Sequence, residues 1–306
     1  MKKLIMPFLL LLALLLSACG NNTGNDASAD TKDKETKEPE TITYESENGP
    51  VEVPADPQRV IVLSSFAGNV MALDVDLVGV DSWSKLNPRF DEKLKGVEEV
   101  TDESLEKIIE LDPDLIIGLS NIKNIDKLNE IAPTVTFTYG KVDYLTQHVE
   151  IGKLLNKEEE AQKWVDDFKV RAKEAGEEIK AKIGEDATVS VLENFSKQIY
   201  VYGNNWGRGT EILYQEMELK MPEKVIESAL EPGYYAVSLE VLPEYAGDYV
   251  ILSKDPKQDN SFMETDTYKN IPAVKNNQVY EVNMMEFYFN DPLTLEYQLE
   301  TFKEVF

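Results

Sequence analysis

The chain has 306 residues, 57 of them acidic and 31 basic, for a formal net charge of −26. That field argues against a nucleic-acid partner, against an anionic membrane face, and against a strongly anionic small ligand unless a local basic cluster offsets it. With one cysteine and one histidine, neither a disulfide framework nor a direct zinc site is on offer.

The chain opens Met1-Lys2-Lys3, runs apolar from Leu4 to Leu16, and continues Ser17-Ala18-Cys19. A basic start, a short apolar core and small residues before a cut describe an export signal, too short for a comfortable membrane span. Leu16-Ser17-Ala18-Cys19 resembles a bacterial lipobox, which predicts a signal peptide over 1–18 and acylation at Cys19. The alternative is an ordinary signal with an incidental cysteine. Residues 19–40 are almost free of apolar side chains. They cannot bury enough surface to offset chain entropy, and read as a disordered tether. One acyl chain holds weakly, so stable attachment calls for more than one.

From Thr41 the chain is ordered. Thr41–Glu45 and Gly49–Val53 read as a hairpin, and Arg59–Ser65 as a buried strand with a loop and helix to about Leu73. Strands follow at Leu77–Asp81, Asp114–Gly118 and Val135–Tyr139, alternating with helices at Ser104–Glu110 and Asp126–Ile131. Such alternation predicts a parallel sheet covered on both faces. Val142–Leu155 reads as a helix. Asn156 with Glu159 suggests a capping box opening a long helix from Lys157 to Ile183. Its apolar positions, from Ala161 and Trp164 to Ile179 and Ile183, fall at three- and four-residue steps, leaving one buried stripe. At about 1.5 Å per residue it reaches roughly 40 Å, enough to strut two domains. Strands at Thr188–Leu192, Tyr249–Leu252 and Val279–Val282 then alternate with helices near Glu211–Met217, Leu239–Glu244 and Leu293–Phe302. The expected fold is α/β, with two Rossmann-like lobes, 41–156 and 184–306, joined by the helix 157–183.

Two features point to function. Tyr200-Val201-Tyr202-Gly203-Asn204-Asn205-Trp206-Gly207-Arg208-Gly209 lies between strand-like and helix-like runs and reads as a strand-to-helix loop. Such loops carry ligand sites. Trp206 offers a flat apolar wall and Arg208 five donors in a fixed fork, which suits an amphipathic, oxygen-rich ligand. A glycine-rich turn whose Trp caps the core and whose Arg meets a surface carboxylate is the bland alternative. Secondly, Ser104–Ile117 aligns without gaps on Ser238–Ile251, which places Glu106 and Glu240 at matching exposed helix starts. Each alone is an ordinary carboxylate favoured by the helix dipole. As a pair they suit a partner with two-fold character.

These features together resemble an ABC-importer substrate-binding lipoprotein of the iron-siderophore class, most like the ferric-hydroxamate binders of Gram-positive bacteria. The loop and Tyr288-Phe289-Asn290-Asp291-Pro292 are the more specific marks. The resemblance implies a ligand cleft between lobes, with Trp206 and Arg208 on the chelate, Tyr200 and Tyr288 beside them, and Tyr139 and Trp83 as first-lobe candidates. It implies Glu106 and Glu240 pairing with arginines of a permease dimer served by a cytoplasmic ATPase, Glu103 being an alternative to Glu106. It also implies a monomer anchored through Cys19 on the outer face of the cell membrane. The siderophore satisfies the iron, so no cofactor, protein metal ligand or enzymatic step is expected.

A ferric tris-hydroxamate is close to neutral, whereas a tris-catecholate carries about three negative charges. Each unlike pair at 4 Å is worth roughly 4 kcal/mol at an effective dielectric of 20. A catecholate site would therefore gather several cations, and the second-lobe loops offer Arg208 among aromatics. The remaining alternatives are a cobalamin or haem binder, with Met284 or Met285 as axial sulfur, a structural adhesin, and a surface hydrolase. The hydrolase would need His148, here read as a surface or half-buried residue, and has no Gly-x-Ser-x-Gly elbow.

Overall fold

The computed structural model describes residues 40–306. The signal peptide, Cys19 and all of the tether before Glu40 lie outside the described residues. Among the described residues, no helix is long and apolar enough to cross a membrane.

A hairpin of β1 (Thr41–Ser46) and β2 (Gly49–Pro54) leads in. The first sheet contains β3 (Val60–Val62), β4 (Leu77–Val80), β5 (Glu98–Glu99), β6 (Leu115–Leu119) and β7 (Thr134–Phe137), in the order β5-β4-β3-β6-β7 and parallel throughout. Its crossovers are α1 (Ala67–Ala72), α2 (Ser82–Leu86), α3 (Leu105–Leu111) and α4 (Ile125–Ile131), before α5 (Tyr144–Leu154) and the long α6 (Glu158–Ile183). β3 and β7 are buried along their whole length and β6 at all but its last residue, as a sheet covered on both faces requires.

The second lobe departs from simple alternation. After β8 (Val189–Phe195) the chain turns straight back into β9 (Gln198–Tyr202), antiparallel to it, and β10 (Tyr234–Val237) adds a further antiparallel edge. β11 (Tyr249–Lys254) and β12 (Val279–Asn283) complete the mixed order β10-β9-β8-β11-β12. Tyr200 and Tyr202 therefore belong to a strand, and the loop proper begins at Gly203. The hairpin turn is Ser196-Lys197, both at positive φ. Asn-Gly is the usual signature of such a turn, and its absence hid the strand pair. The lobe's helices are α7 (Glu223–Ala229), α8 (Leu242–Tyr245), α9 (Asp266–Lys269), α10 (Pro272–Lys275), α11 (Met284–Phe287) and α12 (Pro292–Val305). After the loop, Ile212–Glu216 is π-helical.

Asn156 does not cap α6. It sits at φ 56° and closes α5, with its N–H on Lys153 O (3.1 Å) and the Lys157 N–H on Gly152 O (2.7 Å). These two bonds form a Schellman motif, for which Asn is one of the few residues that accepts the left-handed conformation. Glu240 is exposed but lies in the turn before α8, whereas Glu106 is in the first turn of α3. A helix starting at Leu239 would need an N–H at residue 243, and Pro243 has none.

The buried stripe of α6 runs through Ala161, Val165, Phe168, Ala172 and Ile179. Trp164 stacks on Phe168 (4.8 Å), meets His148 edge-on (5.3 Å) and donates to Glu296 of α12 (2.8 Å). Arg171 grips both oxygens of the same Glu296 at 2.6 and 2.8 Å. So α6 is fastened to α5 on one side and to α12 on the other. His148 is only 1 % exposed, with Nδ1 3.1 Å from Asn69 Oδ1. The oxygen accepts, so the neutral ring carries its proton on Nδ1.

Burial pulls the His148 pKa down to about 4. A depressed histidine adds stability above its unfolded value of about 6.5, and that stability is lost as pH falls towards the folded value. Between neutral pH and about pH 4 the wild type should lose on the order of 3 kcal/mol through this group. Urea denaturation of His148→Gln, which removes the titration, should show a correspondingly flatter pH dependence.

Candidate functional site

The site grows out of a charge placed inside the second sheet. Glu193 of β8 is fully buried, and an ion there must be paired and hydrogen-bonded. Arg208 answers it, with Nε 3.1 Å from Oε2 and Nη2 3.0 Å from Oε1. The Tyr202 hydroxyl (2.8 Å) and Ser253 Oγ (2.6 Å) donate to the same carboxylate. Burial works against the Arg208 charge, and Glu193 more than offsets it, leaving the guanidinium pKa raised.

To reach Glu193 the chain between Gly207 and Gly209 takes three successive positive φ values, including 59° at Arg208 itself. Gly207 passes so close to the Tyr288 carbonyl that a methyl there would overlap it. The Arg208 N–H donates to Phe287 O at 2.8 Å. Nη1 donates to Trp206 O at 3.1 Å, which fixes the loop's turn. Of the five N–H groups of an arginine, three are thereby engaged, and two remain for a ligand.

The Arg208 guanidinium carbon lies 4.2 Å from the centroid of the Tyr288 ring, and Trp83 stacks on that ring at 4.8 Å and 13°. Both stand over one ring, so they take opposite faces. A cation and an indole thus hold Tyr288 between the lobes. Two further contacts fasten the same seam. Phe90 stacks on Phe289 (5.8 Å), and Gly68 of α1 lies where any side chain would overlap the Asp291 carboxylate.

In front of this seam is a cavity of about 610 Å³, within the range of small-ligand sites. Four of the expected residues line it: Trp206, Arg208, Tyr288 and Tyr139. Tyr139 meets Trp206 edge-on at 5.6 Å. It stands beyond the carboxyl end of β7, where α/β sheets place their ligands. Tyr200 does not line the cavity. It lies within β9, three residues and roughly 10 Å before the loop's start at Gly203, and its aromatic path to Trp206 runs through Tyr234, at 5.8 and then 5.2 Å. Trp83 does not line it either. β4 lies outward of β3 in the sheet, and Asp81 caps α2 by accepting from the Trp83 N–H (2.9 Å). The indole therefore emerges behind Tyr288.

The sequence reading missed Glu193, Glu211, Asn290 and Lys141. The last three line the cavity. Lys141 is paired with Glu47 at 3.3 Å. A glutamate in the middle of the all-buried run Val189–Asn194 was the available signal for Glu193. Met284 and Met285, the axial-sulfur candidates, are not among the lining residues, and Met284 is 1 % exposed in the core. Among the described residues no three His, Cys, Asp or Glu side chains gather as a metal site.

A model of the periplasmic binding protein family matches residues 61–284. The chain belongs to that family. One relative of this binding protein is the iron(3+)-hydroxamate-binding protein FhuD of Bacillus subtilis, 39 % identical over 304 residues, covering 97 % of this chain and 95 % of the relative. Among solved structures, the FhuD protein from S. pseudintermedius superposes with a TM-score of 0.79 at 35 % identity, covering 87 % of this chain and 98 % of the other. FhuD2 from Staphylococcus aureus with bound ferrioxamine B gives 0.78 at 35 % identity, with 81 % and 98 % covered.

Truncating one partner of the buried pair should be costly. Arg208→Ala leaves Glu193 uncompensated and should destabilise the protein by about 3–5 kcal/mol. The double variant Glu193→Leu/Arg208→Met should recover part of that loss. A double-mutant cycle by urea denaturation measures the coupling.

Proposed function

We propose that this binding protein captures a ferric hydroxamate siderophore outside the cytoplasm and delivers it to an ABC permease, with no enzymatic step of its own. The observation that carries this reading is the cavity wall. Trp206, Tyr139 and Tyr288 offer aromatic faces to an organic shell, and Arg208 keeps two N–H groups for its oxygens. The relatives named for hydroxamate binding, and the neighbour holding ferrioxamine B, support the same ligand class. The charges at the cavity point away from a tris-catecholate, because Arg208 is matched by Glu193 and Lys141 by Glu47. A trianionic chelate would find no unmatched cluster of cations there.

In this reading, Cys19 carries the lipid, residues 19–40 are the tether, and a monomer faces outward on the membrane of a Gram-positive cell. The lobes 41–156 and 184–306 and the helix 157–183 are its working parts. Glu106 and Glu240 are the carboxylates offered to the permease. Both are exposed, whereas Glu103 is held by Lys123 at 2.6 Å, which favours Glu106 as the first-lobe contact.

Tryptophan fluorescence against a ligand panel tests the ligand class. Ferrichrome and ferrioxamine should quench, and ferric catecholate, haemin and cobalamin should not. Trp206→Ala should weaken hydroxamate binding by about 30-fold or more, as loss of a central aromatic anchor does. A Soret band on adding haemin, or quenching by the catecholate alone, overturns the assignment. The Glu106→Ala/Glu240→Ala double variant should bind as the wild type does and lose uptake in cells. Full uptake in that variant removes the docking role.

A further inference from the structure

Glu211 lies at the floor of the cavity and is 1 % exposed. Its Oε1 accepts the Gly207 N–H at 2.9 Å and the Asn290 amide at 2.8 Å. Its Oε2 stands 3.1 Å from Thr210 Oγ1. That hydroxyl has one proton, and its nearest acceptor is Gly207 O at 2.8 Å. It also receives the Trp206 N–H at 3.3 Å. The hydroxyl can give that proton to Gly207 O or to Glu211 Oε2, and not to both. With the proton on Gly207, the nearer acceptor, an ionised Oε2 would face an oxygen lone pair inside a water-poor floor. A protonated Oε2 completes every bond in the group.

We propose that Glu211 stands in the site as the neutral acid, donating its proton to Thr210 Oγ1, and that this keeps the cavity floor uncharged. The ionisable groups facing it agree with that state. From the first lobe these are the phenols of Tyr139 and Tyr144. From its own loop the nearest cation is Arg208, already committed to Glu193. Asn290, from the segment before α12, is neutral. Burial pushes the Glu211 carboxyl above its ordinary range, against the hydrogen bonds it accepts.

Two roles follow for Glu211. As a positioning residue it ties the loop at Gly207 and Thr210 to Asn290, and so holds Trp206 in the cavity wall beside Tyr139. As a specificity determinant it offers no charge to a cationic substituent on the chelate. The second role rests on the siderophore reading above, whereas the protonation state does not.

The protonation state is read on the wild type without ligand. Infrared difference spectroscopy of protein carrying 13C-carboxyl glutamate should show, at neutral pH, a protonated glutamic acid carbonyl that is absent from Glu211→Gln. The buried Asp291 carboxyl, also pushed upward by burial, carries no label and does not interfere. A wild-type spectrum showing only carboxylate overturns the proposal, even if Glu211→Gln fails to fold.

Stability supplies a second reading. A raised folded pKa means the unfolded chain releases its proton first as pH rises, so the wild type loses stability from the ordinary carboxylate range upward. Glu211→Gln should therefore gain on the wild type as pH rises above the ordinary carboxylate range, and a constant difference overturns the proposal. For the charge role, affinities for neutral ferrichrome and ammonium-bearing ferrioxamine B are compared in both proteins at neutral pH. Their ratio should change by less than about twofold in Glu211→Gln, while Glu211→Leu, which leaves Gly207 and Asn290 unpartnered, should weaken both by about tenfold or more. Selective loss of the ammonium chelate in Glu211→Gln would mean an ionised floor. If neither chelate binds the wild type, the siderophore reading falls and the infrared result stands by itself.

Discussion

A carboxylate closed inside the second sheet sets the terms for everything around it. Glu193 cannot be left alone in that interior, and Arg208 is the cation that reaches it. For the guanidinium to arrive, the glycine-rich loop must fold through left-handed conformations that place Trp206 at the cavity mouth. Once there, the guanidinium forms one face of the sandwich around Tyr288 whose other face is Trp83 of the first lobe. A core requirement of one lobe thus becomes a contact between both. The residue proposed as a ligand donor is at the same time a structural ion, so any loss of binding on its removal has to be read together with a loss of stability.

The parallel first sheet was legible because its signal is strong: short, fully apolar runs alternating with amphipathic ones. The stripe on α6 was equally plain. The second lobe was harder, for local reasons. The hairpin at Ser196-Lys197 uses left-handed residues without glycine or asparagine at the turn, so Gln198–Tyr202 merged into the loop that follows. Asn156 can cap a helix start or close a helix end, and only the path of the backbone decides between them. Trp206 and Arg208 stood out among the loop glycines, Tyr139 stood beyond a strand end, and Tyr288 came from the resemblance through its place before Asn290-Asp291; all four line the cavity. Tyr200, also taken from the resemblance, and Trp83, also beyond a strand end, sit outside it, because spacing along a chain does not tell which way a strand or a first helical turn faces.

The charges at the cavity follow one rule. Arg208 faces Glu193, Lys141 faces Glu47, and Asp143 caps α5 by accepting from the Leu145 and Thr146 N–H groups. Each is tied to protein before any ligand arrives. Such a wall suits a guest whose own charges are already cancelled, and it sits in a molecule whose net charge of −26 would repel strongly anionic guests at a distance. Short-range matching and the long-range field therefore select for the same kind of chelate.

The π-helical run Ile212–Glu216 follows directly from the binding loop, and Gln215 within it reaches the cavity. A π turn holds one residue more than an α turn. Loss of a single codon in that run would take out the extra residue and relax it to ordinary helix, with the positions beyond the deletion staying close to their places. The side chain offered to the cavity from that turn would then change while both sheets kept their registers. A change of cargo is thus open to this scaffold through a deletion, without any new side chain having to be invented.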